Sequence, residues 1–176
     1  MVSNFLQMLA QAFSLAGVAQ QQQRVATKIV ATGGGDAIMA AMRTHKACQE
    51  FQRVACMALY DLALIEQNQF KISEEGAIEV ICTAMRRHSK DQDLQRWACS
   101  ALGLMCSLNA QNQERAASAG GPELVVAAMR NPKAPFEMIQ CASLTLLNLA
   151  ADSTNQLKIA QAGLLNEKKI SLLSKL

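Results

Sequence analysis

Residues that favour strands are scarce in this chain. Only 4% of its 176 residues are aromatic, and prolines occur only at positions 122, 132 and 135. Strands favour aromatic and β-branched side chains, whereas the Ala, Leu, Met and Gln that dominate here favour helices, which prolines would interrupt. The composition therefore argues against a β-sheet protein and predicts an all-helical one.

An excess of one charge is also lacking. Seventeen Lys and Arg stand against fourteen Asp and Glu, which gives a net charge of +3, and the cations are spread along the chain. A nucleic-acid-binding protein usually shows a stronger basic balance. The mildly basic stretch NEKKISLLSKL at the C-terminus is interpreted as a solvated face. We therefore expect no nucleic-acid partner.

Long apolar runs are missing as well. No stretch approaches the 18 or more apolar residues typical of a membrane-spanning helix. The stretch MVSNFLQMLAQAFSLAGVAQ has no Lys or Arg before its apolar part, and Gln7 and Gln11 interrupt it, so it does not resemble a signal peptide. Val2 stands where N-myristoylation needs Gly. We expect a cytoplasmic or nuclear protein with no membrane partner.

Metal and catalytic motifs do not occur in the sequence. The six cysteines form no CxxC pair, and most fall on apolar positions of predicted helices, which favours free thiols in a reducing compartment. His45 and His88 lack ligand partners at zinc spacing, so surface histidines are favoured over a metal pair. TGGGDA at 32–37 lacks the Lys of a phosphate loop, and no GxSxG or HExxH is present. We expect no cofactor, no metal and no enzymatic activity.

What the chain does contain is a repeat. FQRVACMAL at 51–59 and LQRWACSAL at 94–102 share six of nine letters. Counting nine residues forward from Gly33, Gly76 or Gly120 reaches Met-Arg, and counting eight back from Gly76, Gly120 or Gly163 reaches Asn-Gln. Landmarks that stay in phase indicate a repeat architecture. The predicted units span 3–32 (partial), 33–75, 76–119, 120–162, and 163–176 (a cap or truncated unit).

Each unit is predicted to contain a short first helix, a second helix and a long third helix. Asn68, Asn112 and Asn155 are placed to cap the short helix, and a left-handed Gly is placed to end it. Apolar residues with spacings of 4, 4 and 3 form one stripe of each long helix: Phe51, Ala55, Leu59 and Leu62; Leu94, Ala98, Leu102 and Met105; Met138, Ala142, Leu146 and Leu149. Phe5, Leu9, Phe13 and Ala16 continue the pattern and predict a long helix over 3–19. Stacked stripes predict an elongated superhelix.

These features resemble the armadillo-repeat family. The period of 43–44 residues, the Gly-Ala or Gly-Gly before the second helix and the A-x-x-A-L-x-x-L pattern of the third helix look like its consensus. The resemblance covers residues 33–163, with 3–32 as a partial repeat. HEAT repeats, which usually lack the Gly between the first two helices, come second. The resemblance implies an all-α, right-handed α-α superhelix with three full three-helix repeats plus a partial N-terminal repeat.

Protein binding is what the resemblance implies. In armadillo proteins the third helices line a concave groove that holds an extended partner segment. Importin-alpha and catenin-type members carry an Asn late on that helix, and importin-alpha adds a Trp one turn earlier. Here the Asn place holds Asp61, Leu104 and Asn148, and the Trp place holds Met57, Ser100 and Leu144. Because this Trp and Asn ladder is mostly absent, a nuclear-import receptor is disfavoured.

Other candidates on the third helices have two interpretations each. Trp97 is either a groove anchor or a packing residue between units. Arg53 and Arg96 either meet acidic partner groups or pair within the chain, and Asn148 either grips a partner backbone or caps its own surroundings. The predicted partner-binding set is Arg53, Met57, Asp61, Arg96, Trp97, Ser100, Leu104, Leu144 and Asn148.

Two classes of function follow from the sequence. The first is a non-enzymatic scaffold or adaptor that holds a protein or peptide partner in the groove. The second is a structural or regulatory segment of a larger protein or of a cytoskeletal or signalling assembly, which makes contacts through its faces and ends, including self-association through the end repeats. Nucleic-acid binding by helical repeats is a weaker third, because base-reading repeats are shorter and use a code of stacking side chains, whereas this chain has one Trp and one Tyr.

Overall fold

The computed structural model describes the backbone of residues 19–163 and the side chains of residues 23–163. Within this range the chain forms ten α-helices and no strand, so the all-helical prediction is confirmed. The helices are α1 (Ala19–Ala31), α2 (Gly34–Thr44), α3 (Gln49–Ala63), α4 (Glu66–Glu74), α5 (Ala77–Arg87), α6 (Gln92–Cys106), α7 (Ala110–Ala119), α8 (Gly121–Met129), α9 (Phe136–Leu149) and α10 (Ser153–Gln161). The predicted helix over 3–19 and cap over 163–176 lie outside the described residues, apart from Ala19 and Gly163.

Three kinds of helix recur in a fixed order after α1. The long helices α3, α6 and α9 have 14 or 15 residues, the short helices α4, α7 and α10 have 9 or 10, and the middle helices α2, α5 and α8 have 9 to 11. Each of α4 and α7 leads through a glycine into a middle helix, and linkers 45–48, 88–91 and 130–135 then lead into the long helix. This arrangement is an armadillo-type helical solenoid.

A left-handed glycine separates short and middle helices, as predicted. Gly76, Gly120 and Gly163 follow the short helices with φ of 98°, 77° and 92°, and Gly33 follows α1 with φ of 81°. Residues with a Cβ avoid this conformation, which glycine adopts freely. The turn is therefore encoded by residue type and directs each middle helix away from the short helix before it.

The apolar stripes of the long helices form the core. Eleven of the twelve predicted stripe residues are buried, including Leu59 and Leu102 at 0% exposure and Leu146 at 8%. Phe51 is the exception: it is half-buried, packs against the core and lies with its ring centroid 5.4 Å from that of His45. Successive long helices pack along one another more closely than the short or middle helices do. The long helices therefore form one continuous row, and we call the solvent-exposed face of that row the inner face, after the groove-lining helices of armadillo proteins.

The predicted capping role of the three asparagines is wrong. The residues that precede the short helices are Ile65, Asn109 and Asp152, and each predicted Asn is instead the third residue of its helix and is buried. Asn109 and Asp152 are the capping residues. Their side-chain oxygens accept hydrogen bonds from the backbone nitrogens of Asn112 and Asn155, at 3.0 and 2.9 Å. Sequence spacing located the helix start to within three residues but not the capping residue.

The buried asparagines bind other helix ends instead. The amides of Asn68 and Asn112 donate to the carbonyls of Leu62 and Met105, 3.1 and 2.7 Å away, near the end of the preceding long helix. The last carbonyls of a helix have no partner within it, so these bonds supply donors at the helix end. The Leu62 carbonyl also accepts from the backbone nitrogen of Ile65, 3.4 Å away. Asn155 differs, since its amide donates to the carbonyl of Gln113 in the previous short helix, 3.0 Å away.

A glutamine holds two of the long helices to the linkers that precede them. The amide of Gln52 donates to the carbonyls of Met42 and His45, and that of Gln95 donates to the carbonyls of Met85 and His88, at 2.9 to 3.2 Å. Both glutamines are buried. The third long helix has Ile139 at this place, after a linker that contains two prolines.

An arginine latch joins each middle helix to the short helix that follows in the array. Arg43 and Arg86 donate to the carbonyls of Glu75 and Ala119 at 3.2 and 2.9 Å, while Arg130 donates to those of Ala162 and Gly163 at 2.8 and 2.7 Å. These are the arginines of the recurring Met-Arg pair. Cations are favourable at helix C-termini, where partial negative charge collects. The repeated Arg therefore donates to unpaired carbonyls at the end of the next short helix and balances the partial charge there.

Candidate partner-binding groove

The inner face of the three long helices is the candidate groove. Eight of the nine predicted residues are half-buried, and Leu144 is 62% exposed. None is fully buried, so all nine have some surface available on or beside this face. The described structure therefore places the predicted set on three successive long helices.

A row of alternating charges crosses the first turns of α3 and α6. Arg53 binds Glu50 on its own helix, and its guanidinium lies 3.6 Å from the carboxylate of Asp93 on the next long helix. Asp93 also lies 3.9 Å from Arg96. The hydrogen bond to Glu50 raises the pKa of Arg53. Two acids and two bases thus balance one another, which corresponds to the intramolecular pairing considered for the two arginines.

Trp97 packs at the junction between α3 and α6. Its ring lies 5.4 Å from that of Tyr60, tilted by 49°, and the guanidinium carbon of Arg96 lies 4.1 Å from its ring centroid. Such a cation–π contact contributes about 0.5–1 kcal/mol at an exposed site. Trp97 is half-buried against the core, so it packs between helices while retaining some exposed surface toward the groove.

Asn148 reaches the neighbouring long helix. Its amide donates to the carbonyl of Gly103, 2.9 Å away on α6. Close by, the buried Thr145 hydroxyl lies 2.8 Å from the carbonyl of Cys99, and a Cβ built on Gly103 would lie only 2.7 Å from that hydroxyl. Gly103 therefore marks a close approach of α6 and α9, and Asn148 spans the same junction.

Asp61 brings a partly desolvated carboxylate to the inner face. Burial raises the pKa of Asp61 to about 6, because removal from water disfavours the charged form. No ion-pair partner lies within 4 Å of it among the described residues. The equivalent positions hold Leu104, which packs partly against the core, and Asn148. A cationic group brought by a partner would stabilise the ionised form.

The groove becomes apolar at α9. Leu144 and Leu147 are 62% and 71% exposed, and Phe136 at the start of the helix is 68% exposed. Their spacing places them along one face of a 3.6-residue helix, with Gln140 between them. The places equivalent to Leu144 hold Met57 on α3 and Ser100 on α6, and those equivalent to Gln140 hold Arg53 and Arg96. The surface therefore changes from a charged row to an exposed apolar face along the array.

Sequence reasoning missed several residues of this surface. Tyr60, Gly103 and Leu147 occupy one equivalent place on the three long helices, where the first two contact the next long helix. Aligning the units by their glycines would have identified this place, but three unlike residues gave no motif. Glu50 and Asp93 were missed because paired charges on first turns look like ordinary solvated residues.

Four of the six cysteines are buried, and both histidines lie at the C-terminal ends of middle helices. Cys56, Cys82, Cys99 and Cys106 are buried, and burial raises the pKa of Cys56, Cys82 and Cys106 to about 12 and that of Cys99 further. Such thiols stay protonated and unreactive at neutral pH. His88 lies in a linker, its Nε2 2.8 Å from the carbonyl of Lys46. Among residues 23–163, no three His, Cys, Asp or Glu residues converge to hold a metal.

Comparison with known proteins identifies one family. The family profile of the GAC ARM domain matches residues 52–159, which is more than half of the chain and includes α6, α9 and α3 from its fourth residue onward. Neither the curated proteins nor the solved structures include a significant match. In the part of the chain that the structure describes, no helix combines the length and apolar character that crossing a bilayer requires.

Proposed function

The chain belongs to the armadillo-repeat family as a GAC ARM domain, and from this premise we propose that it is a non-enzymatic scaffold that holds a protein segment along the inner face of its long helices. The proposed partner-binding residues are the nine predicted from the sequence together with Leu147. We further propose repeat boundaries at 33, 76, 120 and 163, and a location in the cytoplasm or nucleus.

The exposed apolar face of α9 is the observation that supports this proposal best. Leu144 and Leu147 leave most of their side-chain surface in water, at a cost of roughly 25 cal/mol for each Å² of apolar area left uncovered. Contiguous exposed apolar surface bordered by polar groups is typical of protein-binding sites. Here the polar side chains are Arg96 and Ser100 on the neighbouring α6 and Asn148 on α9 itself. The leucines would anchor the partner, and these polar groups would fix its register.

Replacement of an exposed groove leucine tests the proposal without damaging the core. Trp97 and Asn148 make contacts between helices, so their removal would confound binding with stability. Leu144→Asp changes a side chain that is 62% exposed, and Leu157→Asp is a matched control at 59% exposure on α10. We expect proteins that the wild type captures from cell extract in quantitative pull-downs to be lost with Leu144→Asp and retained with Leu157→Asp.

Equal retention of every captured protein by the wild type and both variants would overturn groove binding at α9. A photo-crosslinking residue placed at 144 and, separately, at 157 provides a second readout, because adducts are expected only from position 144. Circular dichroism of both variants establishes that the helical content is unchanged.

The end of the array supports a second candidate function, which is that of a segment stacked within a larger assembly. Leu147 occupies the place where Tyr60 and Gly103 contact the next long helix, yet it is 71% exposed. A further helix, from a partner or a second copy, would bury it. We expect this function to give concentration-dependent association in light scattering that Leu147→Asp abolishes.

A further inference from the structure

The cations of the chain are not evenly distributed once the helices are stacked. The three linkers between middle and long helices, together with the last residue or residues of the middle helices, lie along one edge of the solenoid and form what we call the basic rim: residues 43–48, 86–91 and 130–135. The rim carries seven Lys and Arg and a single acid, Asp91. Those seven are Arg43, Lys46, Arg86, Arg87, Lys90, Arg130 and Lys133, and all are exposed.

The first two linkers of the rim are joined by a hydrogen bond. His88 in the second linker lies with its Nε2 2.8 Å from the carbonyl of Lys46 in the first. Gln52 and Gln95 hold these two linkers to the long helices through the carbonyls of His45 and His88. Linkers fixed in this way keep their charges at defined positions, so the cations act as an organised surface.

The rim cations have two different roles. Arg43, Arg86 and Arg130 form the latch to the next short helix and are held in place by backbone carbonyls. Lys46, Arg87, Lys90 and Lys133 make no side-chain hydrogen bond or ion pair with any described residue. Four cations therefore remain available to an external partner, beside three that add to the potential without leaving their structural positions.

A cleft opens on the rim between the first two linkers. It has a volume of about 240 Å³, and its lining includes the three cations Arg43, Lys46 and Arg87 and one carboxylate, that of Glu79. Three positive charges around one negative charge leave the cleft positive. It is large enough for a carboxylate side chain, which would be attracted by the surrounding cations.

The opposite edge provides a contrast. The linkers between long and short helices, residues 64–65, 107–109 and 150–152, carry one acid, Asp152, and no Lys or Arg. On the groove side the rim is bordered by Glu50 and Asp93, which Arg53 and Arg96 already neutralise, and by Glu137 at the start of α9. The positive charge is therefore concentrated where the middle helices end and the long helices begin.

We propose that the basic rim is a second interaction surface, which binds an acidic segment of a partner protein with one of its carboxylates in the cleft between the first two linkers. Nucleic acid fits less well. Proteins that bind it commonly neutralise six to ten phosphates, whereas four available cations spread over three linkers suit a short acidic peptide. Single strands would also need stacking aromatics, and Trp97 is engaged by Tyr60 and Arg96.

Charge reversal at two free rim cations tests the proposal. Lys46→Glu with Arg87→Glu is compared with Arg24→Glu and Lys28→Glu, which lie on α1 near Leu64 and Glu66 and change the net charge equally. The probe is a fluorescein-labelled peptide of ten glutamates, measured by fluorescence anisotropy at 50 and 150 mM salt. We expect the wild type to bind it, the rim variant to bind at least tenfold more weakly, and the α1 variant to bind within about threefold of wild type.

Each alternative outcome overturns the proposal. Equal weakening by both variants would mean that only net charge matters, and absence of peptide binding at 50 mM salt would remove the surface altogether. Tighter binding of a ten-nucleotide oligothymidylate than of the peptide, lost in the rim variant, would assign the rim to nucleic acid. Preferential binding of vesicles containing phosphatidylserine would assign it to a lipid surface.

Discussion

We expect position 103 to require glycine, because α9 passes too close for any side chain there. The substitution Gly103→Ala tests this directly. A Cβ at position 103 would lie 2.7 Å from the Thr145 hydroxyl oxygen and 3.5 Å from the Thr145 Cα and Cβ. The first distance forces a shift, whereas the second is ordinary contact. The hydroxyl cannot simply turn away without weakening its contact with the carbonyl of Cys99, 2.8 Å distant.

Two opposing effects determine the expected magnitude. Alanine in a helix interior is favoured over glycine by about 1 kcal/mol. Overpacking of a buried contact costs about 1–3 kcal/mol. We therefore expect Gly103→Ala to destabilise the protein by about 1 kcal/mol, because the clash exceeds the gain in helix propensity. In a Thr145→Ala background the clashing atom is gone, and the same substitution is expected to stabilise by about 1 kcal/mol.

Urea unfolding followed by far-UV circular dichroism measures both effects. The wild type, the two single variants and the double variant form a double-mutant cycle, and their free energies of unfolding are comparable if their m-values agree. The sign of the Gly103→Ala effect, rather than its size, is the decisive observation. Thr145→Ala has its own cost from the lost hydroxyl contact, but that cost cancels in the cycle. If Gly103→Ala has the same sign in both backgrounds, close approach to α9 is not the reason for this glycine.

Further predictions follow from the latch, the groove carboxylate and the thiols. Arg86→Ala is expected to lower the free energy of unfolding in urea by about 1–2 kcal/mol, because it leaves the Ala119 carbonyl without its donor. The control Arg87→Ala, at the exposed neighbouring residue, should stay within about 0.5 kcal/mol of wild type. Equal effects of the two substitutions would contradict the latch. The pKa of Asp61 is raised to about 6 from an ordinary value of 3.8, so stability falls as pH rises between about 4 and 6. Asp61→Asn is therefore expected to raise the free energy of unfolding at pH 7.5 by roughly 1 kcal/mol after allowance for solvent screening, and not at pH 3.5; a gain at both pH values would contradict this. Maleimide at pH 7.5 should modify Cys48 first and Cys141 more slowly, and should reach Cys56, Cys82, Cys99 and Cys106 only in denaturant, as mass spectrometry of tryptic peptides would reveal; rapid native labelling of Cys99 would contradict its burial.

Periodic features of this fold were readable from the sequence. Apolar spacing located the stripes of the long helices, since eleven of twelve predicted positions are buried. The left-handed glycines were also predictable, because the backbone turn admits few other residue types. Both features depend on short-range chemistry that recurs in each unit, so one sequence contains several independent copies of the signal.

Contacts between residues far apart in the sequence were not predictable in the same way. The Met-Arg pairs were visible, but their role as a latch depends on where the next short helix ends, some thirty residues later. Asn68 and Asn112 were assigned to caps because spacing alone does not distinguish the first residue of a helix from the third. The basic rim was hidden in a net charge of +3, because acids elsewhere in the chain offset cations that stacking brings together.

The arginine latch has a direction, since each arginine reaches only toward later residues. A Cβ at Gly76, Gly120 or Gly163 would meet an arginine from the preceding middle helix, but one at Gly33 would meet nothing within 4 Å among the described residues. A block excised at the glycines therefore carries each arginine together with its acceptor: Arg43 with Glu75, Arg86 with Ala119, and Arg130 with Ala162. A cut made before a short helix would separate the two, so grafting or duplicating blocks preserves the bond when the boundaries are placed at the glycines.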